Sequence, residues 1–203
     1  MILQLPIAYF PNIEYFTWLL HAEKVNFQTN ELFPKQTFRN RCVILNANGL
    51  QQLSVPVERV HGRDQKTCEV KISYAENWVK NHLKSFESAY KNAPYYEYYI
   101  DRISEILNSE KTFLSELNFE LLQYLIEKTG LSCEVNMENS AQEITKEMNE
   151  LVNPKSVNQF TGKKYYQTFS ERFDFQNNLS ILDLLFNEGP NTISILTEKP
   201  AMI

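Results

Sequence analysis

ILQLPIAYFPNIEYFTWLLHAEKVNF, residues 2–27, changes its period twice. Residues 2–9 read as a buried strand, in which Pro6 has no N–H for a ladder and so belongs at an edge or a bulge. Pro11 opens a turn. Ile13, Phe16, Trp18, Leu19 and Leu20 then recur at mostly helical spacing over residues 13–22. Lys24 to Phe27 returns to strand. Strand, crossover helix and strand together favour a parallel pair with a right-handed connection.

Working outward, RCVILN (41–46) and QQLSVPVE (51–58) flank Ala47-Asn48-Gly49. Asn and Gly tolerate positive φ, so this is a hairpin signal. After a polar loop, His61 to Lys66, the segment TCEVKIS (67–73) alternates. It puts Cys68, Val70 and Ile72 on one face and Glu69, Lys71 and Ser73 on the other, which predicts another strand. From Glu76 the pattern turns helical through Trp78, Val79, His82, Leu83, Phe86 and Tyr90, and Asn92-Ala93-Pro94 stops it. Residues 95–107 and 112–130 read as two more helices, the second closed by Gly130. A short strand is expected near Ser132 to Met137. Residues 139–162 carry few apolar side chains and read as a surface excursion or lid. The chain then runs into a helix capped at Asn178 or Ser180, a Gly189-Pro190 break and a final short helix. The expected class is α+β (mixed α/β), as a single domain over residues 1–203, with β structure concentrated early and helices behind it.

Length and composition set the outer limits. The 203 residues suffice for a substantial core. With 13 Phe and 11 Tyr, many rings must be packed or used. A net charge of −5 gives no broad footprint for nucleic acid, so any basic site must be local. Cys42, Cys68 and Cys133 are odd in number and lack CxxC spacing, which points to reduced thiols rather than disulfides or a structural zinc site. The amino terminus lacks a charged region before its apolar run, and no window reaches the length of a membrane span, so a cytoplasmic protein without a signal peptide is expected. None of the common nucleotide, metalloprotease, esterase or calcium motifs occurs, and only five glycines are present. No cofactor and no metal ligand set is expected.

The chemistry worth following begins at FRNRC (38–42). In an extended segment Arg39 and Arg41 share a face opposite Phe38, Asn40 and Cys42. Two guanidiniums on one side can grip a carboxylate or phosphate, and Lys35 adds to such a site. The alternative is that they bond internal carboxylates or carbonyls. His82 lies on the helical face of Trp78, Phe86 and Tyr90, where it is either a boundary residue bonded to backbone or a general acid–base. Cys42 beside Arg41 is either inert core or a nucleophile partnered by His82. Asp183 and Asn187, four apart on a helix, could line a polar pocket, or Asp183 could be the partner of Arg39 or Arg41. The rings of PYYEYY (94–99) and KKYYQTF (163–169) are core, or stack on a sugar or base.

Four stretches, AYFPNIEYF (8–16), KQTFRNRCVILNANGLQQLSVPV (35–57), WVKNHLKSFESAYKNAPYYEYY (78–99) and NLSILDLLFNEGP (178–190), resemble the WbqC-like family of bacterial proteins, found among genes for O-antigen and other surface polysaccharides. The resemblance implies a transferase of polysaccharide biosynthesis that modifies a nucleotide-linked or amino sugar. Acyl or aminoacyl transfer is one form this could take. Matching positions include Tyr9, Pro11, Tyr15, Arg39, Asn40, Arg41, Trp78, His82, Tyr90, Pro94, Asp183, Asn187 and Gly189. Where family members often carry acidic or histidine residues after the second strand, this chain has Gln28-Thr29-Asn30-Glu31. On the enzyme reading, Arg39 and Arg41 hold a small anionic ligand such as a nucleotide sugar or an acyl carrier's phosphopantetheine. Asn40 orients it, His82 moves a proton, and Tyr9, Asp183 and Asn187 line the substrate site. On the alternative reading the chain is a non-catalytic accessory protein. Its arginines are then buried against acids, and Tyr95, Tyr96, Tyr98 and Tyr99 dock on a partner enzyme.

Overall fold

The computed structural model describes residues 1–58, 64–138, 143–156 and 162–197. Strand β1 (Ile2–Pro6), helix α1 (Ile13–Leu20) and strand β2 (Lys24–Gln28) form the expected unit, with β1 and β2 parallel from Ile2↔Lys24 to Pro6↔Gln28. Pro6 stands at the end of an edge strand, where no ladder bond is forfeited. Strand β2 is central because β5 (Glu134–Glu138) joins its other side, also parallel. Val25 and Phe27 are accordingly sealed from solvent.

Helix α1 begins where Asn12 accepts a bond from the Tyr15 N–H at 3.0 Å. A second free amide of that first turn, at Glu14, is satisfied from far along the chain by Asn178 Oδ1 at 2.9 Å. Asn178 therefore serves α1, and it is Ser180 that caps its own helix, α6 (Ile181–Glu188), through the Leu182 N–H. Ser180 Oγ also donates to the Phe10 carbonyl, so the starts of α1 and α6 are stitched together.

Strands β3 (Arg41–Asn46) and β4 (Gly49–Ser54) form the predicted hairpin, with Asn46 paired to Gly49. Gly49 sits at φ +106°, a conformation that costs it little. One hairpin face (Cys42, Ile44, Leu53) enters the core, and the other carries Arg41, Gln52 and Ser54.

The strand expected at residues 67–73 does not form. Val70 and Ile72 are buried and Lys71 exposed, as the alternation requires, but Thr67–Glu69 is a turn of 3-10 helix. Only isolated bridges, Val57↔Ile72 and Lys71↔Phe113, touch the remainder. The cause is local competition: the Thr67 and Cys68 amides bond to the Glu31 and Thr29 carbonyls in the loop after β2. His61 and the start of the polar loop before this segment lie outside the described residues.

Helices α2 (Trp78–Tyr90), α3 (Tyr96–Leu107) and α4 (Leu114–Lys128) follow as their periodicity predicts, and Gly130 at φ +77° ends the last of them. Within residues 143–156 a short helix, α5 (Lys146–Glu150), buries Met148, and the residues after it bury Leu151 and Val152. The sparse apolar residues of this polar segment are thus its anchors. After α6, a Gly189–Asn191 turn leads to α7 (Thr192–Leu196). Gly189 is required: a Cβ there would stand 2.5 Å from the Tyr95 ring, and its φ is +52°. Sheet, hairpin and helices share one apolar core, giving the mixed α+β class read from the sequence.

Candidate functional site

A cleft of about 650 Å³ opens where three segments meet. The loop after β2 supplies Lys35, Gln36, Thr37 and Arg39, the hairpin supplies Arg41 and Gln52, and the α5 segment supplies Asn149, Glu150, Asn153 and Lys155. Two of these segments follow the carboxyl ends of β2 and β5, the position at which parallel sheets open toward ligands. Four cationic side chains face one carboxylate among the described lining residues, in a chain whose net charge is −5. The Glu150 carboxylate is already engaged by the Ser156 hydroxyl and the Asn153 amide, which hold its pKa below the usual range.

The two arginines are not equivalent. Arg39 is 2% exposed, and its Nε donates to Glu31 Oε1 at 3.2 Å while Nη2 donates to Asn149 Oδ1 at 3.1 Å. Burial lowers its pKa, and Glu31 beside it opposes that shift. The internal carboxylate is thus Glu31, held in turn by the Thr67 hydroxyl, and not Asp183. Arg41 is half-buried at the cleft wall, and its buried Nε has no hydrogen-bond partner among the described residues. One guanidinium braces the wall, and the other has hydrogen-bonding capacity to spare.

The remaining predicted residues fall elsewhere. Asn40 pins β4 to the segment before β3, its amide donating to the Val55 carbonyl at 2.9 Å, and it does not line the cleft. His82 is 4% exposed in the aromatic stripe of α2 and is likewise outside the lining. Its Nδ1 lies 2.8 Å from the Tyr9 hydroxyl. Burial lowers the His82 pKa to about 4. Cys42 is buried in apolar surroundings that push its thiol far up, the reverse of an activated nucleophile.

Asp183 and Asn187 belong to a third cluster, on α6. Asp183 Oδ2 accepts from the Tyr165 hydroxyl at 2.7 Å and the Gln167 amide at 3.1 Å. The Tyr90 hydroxyl interacts with it electrostatically without reaching hydrogen-bonding geometry. Burial lifts the Asp183 pKa to about 6 against these donors. Asn187 bonds Thr168, so the pair ties the strand of chain at 165–168 to the helix. Of the four tyrosines proposed as a docking surface, Tyr96 and Tyr99 are buried at 8% exposure and Tyr98 is open at 78%.

Sequence reasoning reached Lys35, Arg39 and Arg41 and missed Gln52, Asn149 and Lys155. Gln52 was legible in principle as the diagonal neighbour of Arg41 across a predicted hairpin. Asn149 and Lys155 carried no signal, since Arg39 and Asn149 are 110 positions apart and no period links them. Among the described residues, no group of three His, Cys, Asp or Glu is placed to hold a metal, and no helix is long and apolar enough to cross a membrane.

The sequence profile of the WbqC-like protein family matches residues 7–168, a span that contains the cleft as far as Lys155. An uncharacterized protein of Mycobacterium tuberculosis (strain ATCC 25618 / H37Rv), Rv1507c, is 26% identical over 212 residues, covering 89% of this chain and 90% of that one. No solved structure matches the chain.

Proposed function

The chain belongs to the WbqC-like protein family, and we propose that it binds a small anionic, sugar-linked ligand in the cleft between the post-β2 loop, the hairpin and the α5 segment. The observation that carries this reading is the half-buried Arg41 guanidinium, whose Nε has no partner among the described residues, in a cleft also lined by Lys35 and Lys155. The half-buried guanidinium offers a phosphate or carboxylate oxygen a fixed charge at the cleft wall. Arg39 contributes as the brace that holds Asn149 in the opposite wall. On the family resemblance, the ligand is the donor or acceptor of a transfer to a nucleotide-linked or amino sugar, in the cytoplasm, during surface-polysaccharide assembly. We build no proton transfer on His82, which is buried away from the cleft lining.

Thermal unfolding in the presence of nucleotide sugars, phosphopantetheine and pyrophosphate tests the reading. At a hundredfold excess over Kd, binding stabilises by about 2.7 kcal/mol, or roughly 5–10 °C for a chain of this size. Arg41→Ala abolishes that shift while keeping the unliganded midpoint. A flat response to every anion overturns the proposal.

A further inference from the structure

We infer that the cleft reads a sugar phosphate, with the phosphate on Arg41 and the sugar hydroxyls on the amide of Gln52, so that the sugar and not a nucleobase sets selectivity. This rests on the anion-binding reading above and deepens it. The hairpin register places Arg41 opposite Ser54 and Gln52 opposite Val43, which makes Arg41 and Gln52 diagonal neighbours on the cleft face, about 7 Å apart between backbones. A phosphate held by the arginine has Gln52 within reach of its ester-linked group. That amide is exposed, and among the described residues it donates to Ser54 Oγ at 3.4 Å. It has both a donor and an acceptor to offer, the pattern a vicinal diol accepts from and donates to. The same cleft is lined by Lys35, Gln36 and Lys155, all exposed. They extend the same chemistry of cation and amide, which suits a charged, hydroxyl-rich ligand. A cleft of about 650 Å³ is far larger than an isolated phosphate needs and accommodates a sugar phosphate.

Isothermal titration of inorganic phosphate, glucose 1-phosphate and UMP into the wild-type protein and the Gln52→Ala variant decides the matter. The expected result is that glucose 1-phosphate binds about tenfold more tightly than inorganic phosphate, since two neutral hydrogen bonds supply roughly that factor. UMP, whose ribose also presents a vicinal diol and which adds a nucleobase, binds no better than glucose 1-phosphate. Gln52→Ala brings glucose 1-phosphate down to the affinity of phosphate and leaves phosphate itself unchanged, and because the side chain is exposed the fold is not at risk. If phosphate binds but the sugar adds nothing, or UMP is preferred, or Gln52→Ala is silent, this inference fails while the anion site stands. If none of the three binds to the wild type, the anion site itself fails and this inference with it.

Discussion

Replacing Arg39 should destabilise the protein through the charge it leaves behind. Its guanidinium is 2% exposed, and its charge is opposed by one oxygen of Glu31 at 3.2 Å. Once Arg39 is gone, among the described residues Glu31 Oε1 keeps only the Thr67 hydroxyl, and Oε2 is already buried without a partner. Removing one member of a buried pair costs about 3–5 kcal/mol. The Glu31 side chain retains 21% exposure, so the lower end applies, about 3 kcal/mol. For a domain of this size that lowers the midpoint by roughly 6–12 °C. Urea unfolding of the wild type, Arg39→Met, Glu31→Gln and the double variant forms a cycle. The double variant contains neither charge and should recover most of the loss, giving a coupling of about 2 kcal/mol. An Arg39→Met protein within 1 kcal/mol of wild type, or single costs that simply add, would refute the reasoning.

His82 and Asp183 should produce opposite pH dependences that conceal each other. The His82 pKa falls from 6.5 to about 4 on folding, so between those values the unfolded chain binds the extra proton and stability declines as pH drops. The Asp183 pKa rises from 3.8 to about 6, so in that window the folded protein binds the extra proton and stability increases as pH drops. Each slope integrates to about 3 kcal/mol. Asp183→Asn should therefore make the protein acid-sensitive between pH 6.5 and 4, and His82→Gln should make it gain stability across pH 6 to 4. Parallel curves for both variants in urea melts at several pH values contradict this. Gly189→Ala drives a methyl into the Tyr95 ring at a positive φ and should cost about 2–4 kcal/mol, visible as a lower thermal midpoint. An unchanged midpoint there means that Tyr95 moves aside freely.

The elements most open to sequence reading were those fixed by neighbours in the chain. The β1–α1–β2 unit, the Asn48-Gly49 hairpin and the stripe of α2 each rest on spacing within about ten residues, and His82 sits where that stripe places it. Residues 67–73 alternate as a strand does, but a strand also needs a partner edge. The loop after β2 claims the amides of Thr67 and Cys68 first. The site was half legible for the same reason. Charge and alternation pick out Arg39 and Arg41, yet cannot say which acid folds back on which arginine. A turn brings Glu31, eight positions away, to Arg39, while Asp183 is drawn into the hydroxyls and amides of Tyr165 and Gln167. What assembles the cleft is the docking of residues 145–155, and those anchors, Met148, Leu151 and Val152, are too few to announce themselves.

Arg41 has guanidinium capacity that no described residue takes up, and Arg39 does not. The direct measurement is the pair of arginine Nε–Hε resonances in a proton–nitrogen correlation spectrum as inorganic pyrophosphate is titrated in. The Arg41 signal should move saturably and the Arg39 signal, held by Glu31, should stay in place. A stationary Arg41 signal at concentrations that saturate the protein, or a shift confined to Arg39, contradicts the account.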